Sequence, residues 1–171
     1  MDRGSDRLEK SKPFVPGKNI PPKFEDVVFS LPDPLRVRCE ELRRELAETE
    51  KLIETVVYDK PRGLWCPTWS LGTQPLLALH VSWTSVEVTL YLTPEQADLI
   101  ADANRTSPGS FRNWWSGARS SPGELRLNAA VEKGVRRARI VLESNEDARG
   151  VAWLLAPLIR ASDGDGQTKD S

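Results

Sequence analysis

Cysteine and histidine are scarce: the chain has two cysteines and one histidine in 171 residues. Two thiols cannot build a disulfide scaffold. Cys39, Cys66 and His80 also fall short of the usual four-ligand structural zinc set, so no metal and no cofactor is expected. Long apolar runs are missing too, and none approaches the roughly 18 residues that read as a membrane helix. No membrane contact is therefore expected. The opening Met1-Asp-Arg-Gly-Ser-Asp-Arg has no apolar signal core, which leads to the expectation of a cytoplasmic protein with reduced thiols. Net charge is nearly absent: 24 basic against 25 acidic side chains leave −1, with no global basic footprint for nucleic acid. The nucleotide-binding patterns Gly-x-x-x-x-Gly-Lys-Ser/Thr and Gly-x-Gly-x-x-Gly do not occur, nor does the hydrolase pattern Gly-x-Ser-x-Gly.

What is present suffices for a folded domain. Apolar residues make up 39% and charged residues 29% of the chain, which excludes wholesale disorder. Residues 1–33 hold five of the thirteen prolines and read as a largely irregular leader. Phe24, Val27, Val28 and Phe29 stand out there, and the stretch from Phe24 onward is expected to lie against the domain. Residues 161–171 are polar and Gly-containing, and read as a disordered tail. Between them, 34–160 is expected to be a single α+β domain with a small, mostly antiparallel sheet packed by about four helices.

Within that domain a first helix is expected from Pro34 to about Tyr58, with Asp33 as its cap. Its apolar stripe runs through Leu35, Cys39, Leu42, Leu46, Thr49, Ile53 and Val56, and suits docking on a sheet better than a coiled coil. Residues 62–93 read as β structure, with Pro67 marking an edge or interrupted strand. Leu76 to Val81 is apolar enough for burial on both faces. Val88, Leu90 and Leu92 alternate with Glu87, Thr89 and Tyr91, and Ser82-Trp-Thr-Ser is expected to be a hairpin turn. Thr93-Pro94-Glu95-Gln96 is a capping box opening a helix to about Asn104, with Leu99, Ile100 and Ala103 on its apolar face. Ser121-Pro122-Gly123-Glu124 reads as another, opening a helix to about Lys133. Arg137 to Leu142 reads as a strand, and Ser144 caps a last helix buried through Val151, Leu154, Leu155, Leu158 and Ile159. Pro157 is expected to distort its final turn. Clustered strands without regular alternation favour α+β over a doubly wound sheet.

The charge is unevenly spread. Residues 105–139 carry eight basic side chains against Glu124 and Glu132, a local +6, while the rest of the chain sums to −7. Inside this sector Phe111, Arg112, Trp114, Trp115 and Arg119 stand close together. Guanidinium forks bind phosphate or carboxylate, and indoles stack on flat rings. The leading expectation is therefore a non-catalytic binding or accessory module, taking an anionic or aromatic ligand or a protein partner. Its ligand residues would be Trp65, Trp69, Arg112, Trp114, Trp115 and Arg119. A nucleic-acid binder using Arg136, Arg137 and Arg139 is the alternative. A monomer or weak dimer is expected in either case.

No catalytic residue is assigned. A small enzyme would have to use Cys66 or His80. His80 lies in an apolar strand and reads first as a core or rim residue. Cys66 has Arg62 four positions away, a neighbour that lowers a thiol's pKa. Carboxylate pairs such as Glu40-Glu41 and Glu146-Asp147 read as solvated helix surface.

Three pieces of the second half resemble the DUF3788 family of small bacterial α+β proteins. They are the Trp-containing β stretch ending in Leu90-Tyr-Leu-Thr-Pro94, the Ala130 to Gly134 turn, and the strand–helix unit from Arg137 through Leu155. The resemblance spans roughly residues 60–160. It implies a compact α+β domain in a bacterial cytoplasm and carries over no catalytic residue. The long Pro-rich leader and the Phe111–Arg119 insertion depart from it.

Overall fold

A computed structural model describes residues 20–106, 127–132 and 135–164. Helices α1 (Phe24–Val28) and α2 (Asp33–Ala47) come first, then strands β1 (Leu52–Asp59), β2 (Leu64–Leu71), β3 (Gln74–Val81) and β4 (Val86–Leu92). Helix α3 (Pro94–Thr106), strands β5 (Leu127–Glu132) and β6 (Val135–Val141), and helix α4 (Asn145–Gly164) follow. The six strands form one sheet in the order β1-β2-β3-β4-β6-β5. Every pairing in it is antiparallel. The class is α+β.

Alternation sets the two faces of the sheet. Leu77 and Leu79 on β3, Val86, Val88, Leu90 and Leu92 on β4, and Ala138 and Ile140 on β6 point to one side. There they meet Leu35, Cys39, Leu42 and Leu46 of α2 and Val151, Leu154, Leu155 and Leu158 of α4. Each fully buried leucine or valine contributes about 1.5–3 kcal/mol. Leu76 is the extra residue where the β2–β3 register shifts between Trp69 and Ser70, and both adjacent leucines are buried.

Helix ends follow their caps. Gln96 N–H donates to Thr93 Oγ1 at 3.2 Å and Thr93 N–H to Gln96 Oε1 at 3.0 Å, the reciprocal box that opens α3. Asp147 N–H donates to Ser144 Oγ at 3.2 Å, and Ser144 N–H returns to Asp147 Oδ2 at 3.1 Å. On α3 the inward residues are Ala97 and Ile100, while Leu99 is 40% exposed. The expected use of Leu99 in the apolar face is thereby corrected.

Four further expectations change. The first helix stops at Ala47, and Leu52–Asp59 is a strand. Ile53, Thr55, Val56 and Val57 are stiff at χ1 and favour strand, which outweighs their helical spacing. Asp33 is the first helical residue and not the cap; its carboxylate accepts from Arg36 at 2.7 Å. Residues 127–132 form β5 and not a helix. Their alanines favour helix weakly, but β6 offers a free edge whose backbone groups need partners. The helix after Ser144 runs on through Pro157 to Gly164, so Ala161–Gly164 are helical and not tail. Ser162 Oγ donates to the Ile159 carbonyl at 2.6 Å, and Asp163 pairs with Lys51 at the start of the sheet.

The expected leader contributes to the core through Phe24, Val28 and Leu31. Phe24 meets Trp69 edge-on at 6.3 Å between ring centroids. Arg43 lies 4.4 Å above the same ring and forks onto Glu54 through two 2.9 Å bonds while also reaching Glu25. This one guanidinium joins α1, α2 and β1. Phe24→Ala is therefore expected to lower unfolding free energy by about 3–5 kcal/mol. Phe29→Ala, at a site 79% exposed, should change it by less than about 0.5 kcal/mol. Urea denaturation of the two variants checks this.

Candidate functional site on the sheet face opposite the helices

All four helices among the described residues lie on the face just described. The opposite face carries Thr55, Val57 and Asp59 of β1, Cys66 and Thr68 of β2, and Ala78 and His80 of β3. Glu87, Thr89 and Tyr91 of β4 and Arg137 and Arg139 of β6 complete it. A cavity of about 450 Å³ sits over its centre. Thr68, Ala78, Thr89 and Tyr91 line it, with Asp59, Arg62, Cys66, His80, Arg137 and Arg139 around them.

Pro67 opens this face. The β2–β3 ladder pairs Thr68 with Ala78 and Trp69 with Leu77 and is not continued to Cys66. Proline has no N–H to donate, so the ladder ends where Pro67 begins. The expectation of an edge or interrupted strand is corrected: β2 runs unbroken from Leu64 to Leu71 as an inner strand, and only its pairing with β3 stops at Thr68. Beyond the interruption Cys66 and His80 face each other, with Sγ 3.2 Å from Nδ1. Asp59 Oδ2 lies 4.0 Å from the same ring nitrogen.

The turn between β1 and β2 adds a lid to one side. Gly63 takes a left-handed φ of +65° there, and its N–H bonds the Asp59 carbonyl at 2.8 Å. This places Arg62 so that it lies 3.7 Å from Asp59 Oδ2 and spans β2 and β3 to reach Glu87 on β4 at 3.4 Å. Glu87 accepts two further bonds from Arg139, at 2.9 and 2.6 Å. Arg137 lies over the Tyr91 ring at 5.7 Å.

These neighbours set the protonation states. Burial raises the Cys66 thiol to about 11 and Asp59 adds to the rise, while Arg62 works against both. The lowering expected from Arg62 is real in sign and too small to win. Burial and then Arg62 hold His80 below the ordinary imidazole range, only partly offset by Asp59 and Glu87. The pair is therefore a neutral thiol and a neutral imidazole at pH 7, within hydrogen-bonding reach of each other. Cys66 and Asp59 both approach Nδ1. A nucleophile–base–orienter relay needs its two outer groups on opposite ring nitrogens, which is not the arrangement here. Burial works to raise the Glu87 carboxyl, but the hydrogen bond and charge of Arg139, aided by Arg62, hold it below its ordinary value.

Thr89 is 5% exposed, and its hydroxyl is buried with no hydrogen-bond partner. Leaving such a group unsatisfied costs about 1–3 kcal/mol. It sits on the cavity floor, between Ala78 and Arg139 in the sheet.

The residues expected from sequence are scattered relative to this cavity. Trp69 is 2% exposed and enclosed with Phe24 on the helix-covered face, where it offers no ring face to a ligand. Trp65 stacks edge-on with Tyr58 at 5.3 Å, also by alternation on that face. Arg137 and Arg139 line the cavity; Arg136 is the register partner of Leu92 in the β4–β6 pairing. Arg112, Trp114, Trp115 and Arg119 lie outside the described residues. Sequence reasoning missed Asp59, Thr89 and Tyr91 as site residues. The Glu87/Thr89/Tyr91 alternation was the available signal, but nothing marked its side as the one opposite the described helices.

Compared with known proteins, the chain matches no family model, no curated protein and no solved structure.

Two outcomes follow from this geometry. Thr89→Val removes an unsatisfied hydroxyl at nearly constant shape and is expected to stabilise the chain by about 1 kcal/mol, read as a higher urea midpoint. Glu87 contributes stability that is full above its unfolded-state value, about 4.3, and is lost as pH falls through the lower folded value. The gap in urea midpoint between wild type and Glu87→Gln should therefore close below about pH 4 and stay constant from pH 6 to 8.

Proposed function

We propose that this chain is a binding module that takes a small anionic ligand, bearing phosphate or carboxylate, on the sheet face opposite its described helices. The observation that carries this reading is the cavity of about 450 Å³ with the buried, unpartnered Thr89 hydroxyl on its floor and Arg62, Arg137 and Arg139 around it. The hydroxyl donates to a ligand oxygen and recovers the cost of its burial. Glu87 holds Arg62 and Arg139 in place and leaves part of each fork for a second acceptor. Tyr91, with Arg137 over its ring, adds a wall that is both apolar and cationic. Arg112, Trp114, Trp115 and Arg119, expected from sequence as ligand residues, lie outside the described residues, and the proposal rests on Arg62, Arg137 and Arg139.

A cytoplasmic setting fits the two free cysteines, Cys39 and Cys66. Among the described residues no helix is long and apolar enough to cross a membrane. The DUF3788 resemblance stands beside this proposal as a fold-level likeness and assigns no residue a role.

The test is a thermal melt in phosphate, sulfate, acetate or a nucleoside monophosphate, against chloride at equal ionic strength. At least one of these anions should raise Tm in wild type, and Arg137→Ala and Thr89→Val should each remove most of that rise. No rise with any anion, or a rise unchanged in both variants, overturns the reading. Short oligonucleotides form a further arm. Binding that falls steeply with salt and ignores Thr89→Val would transfer Arg136, Arg137 and Arg139 to nucleic-acid recognition.

A further inference from the structure

We infer that Asp59, Cys66 and His80 form a three-ligand site for one divalent ion of the zinc class, with the fourth coordination position open to the cavity. This goes beyond the anion reading and does not depend on it.

The geometry comes first. One ligand atom from each residue lies within 4.8 Å of the other two, with Sγ–Nδ1 at 3.2 Å and Nδ1–Oδ2 at 4.0 Å. Tetrahedral zinc with ordinary bond lengths sets such ligand atoms about 3.4–3.6 Å apart. The two shorter separations bracket that range, and the 4.8 Å limit on the third lets a rotation of the partly exposed Asp59 side chain by about 1 Å close the set around an ion. The backbone already fixes two of the three ligands, because Cys66 and His80 oppose each other across the interruption at Pro67. Cys66 is 3% and His80 7% exposed, which shields the site from competing solvent.

The donor set points to the ion. Thiolate with imidazole and carboxylate suits zinc and cobalt and disfavours magnesium and calcium. Three protein ligands with an open fourth position is the arrangement of reactive rather than structural zinc. Cys66 Sγ and His80 Nδ1 already face each other at 3.2 Å, with the thiol proton still on sulfur. The ion takes that proton's place: the Cys66 S–H bond breaks, a sulfur–metal bond forms, and one proton leaves to solvent. Two anionic ligands then neutralise the dication. Arg62 gives up its 3.7 Å approach to Asp59 and keeps Glu87, which also holds Arg139. With Asp59, Glu87, Arg62 and Arg139 otherwise balanced, binding adds one positive charge to the cavity.

The ligand count from sequence missed this because it sought two cysteines and a histidine together. Cys39 lies in the core on α2, with its thiol pushed up to about 12 by burial. The third ligand is the carboxylate that closes β1.

The experiment uses the full chain, kept reduced with a phosphine, stripped with chelator, desalted and titrated with Co²⁺ in phosphate-free buffer. A near-ultraviolet thiolate-to-cobalt band should saturate at one ion per chain, release one proton per ion and vanish when Zn²⁺ is added. Cys66→Ser should abolish the band and Cys39→Ala should keep it. Asp59→Asn should weaken binding at least about tenfold, the loss that even an outer partner produces. Circular dichroism checks the fold of each variant. If Cys66→Ser does not fold, alkylation of Cys66 in wild type replaces it, and Zn²⁺ should slow that reaction. No band in folded wild type, a band surviving in folded Cys66→Ser, or alkylation unaffected by Zn²⁺ overturns the inference. A cobalt band without any anion-induced rise in Tm keeps the metal site and removes the anion reading; a rise in chelator-treated protein without a band does the reverse.

Discussion

The leucines and valines that alternate along β3, β4 and β6 place their apolar mass on one side of the sheet, where α2 and α4 close over it. That one-sided burial governs the rest of the molecule. It fixes strand register, because a slip of one residue would turn Leu77, Leu79, Val88 and Leu90 out to the other face. It also leaves the second face to the alternate residues, and these are chemically rich: Asp59, Cys66, His80, Glu87, Thr89, Tyr91, Arg137 and Arg139. The site thus inherits its members from the same period of two that builds the core.

A single proline gives that face its depth. Had the β2–β3 ladder run on past Thr68, Cys66 and His80 would have been an ordinary cross-strand pair. Pro67 ends the ladder, and the Arg62 turn reaches across the opening to Glu87. The charged groups around it neutralise one another in pairs, and the thiol and imidazole stay neutral between them. Burying this many polar groups is tolerable only with such pairing, and among the described residues the Thr89 hydroxyl lacks it.

Much of the fold was legible in the sequence wherever local chemistry and tertiary demand agreed. The boxes at Thr93 and Ser144, the Ser82–Ser85 hairpin, the alternation in β4 and the buried face of α4 all follow from side chains acting on their own neighbourhood. Legibility failed where the two disagreed. Ile53 and Val56 continue the α2 stripe by spacing, yet their branched side chains join β1. Ala129 and Ala130 suit a helix, yet β6 needs a partner strand. For the site, sequence singled out Cys66 and His80 as individuals and could not pair them, because their meeting depends on the register between β2 and β3. Trp65 and Trp69 were grouped with arginines by composition. The parity that assigns Trp69 to the core and Arg137 and Arg139 to the opposite face is set by long-range register, such as Thr89 against Arg139.

The strand order carries a consequence for how this chain is made. From β1 to β4 each strand pairs with the one just before it, a meander that closes through short local turns as it leaves the ribosome. Its apolar face has α2 to lean on, but Ala148, Val151, Leu154, Leu155 and Leu158 arrive only with α4. Until then Leu90 and Leu92 have no cover on the α4 side, and the outer edge of β4 waits for β6. A nascent chain paused before residue 145 is a half-open sheet with a sticky underside, the kind of surface that chaperones and neighbouring nascent chains bind.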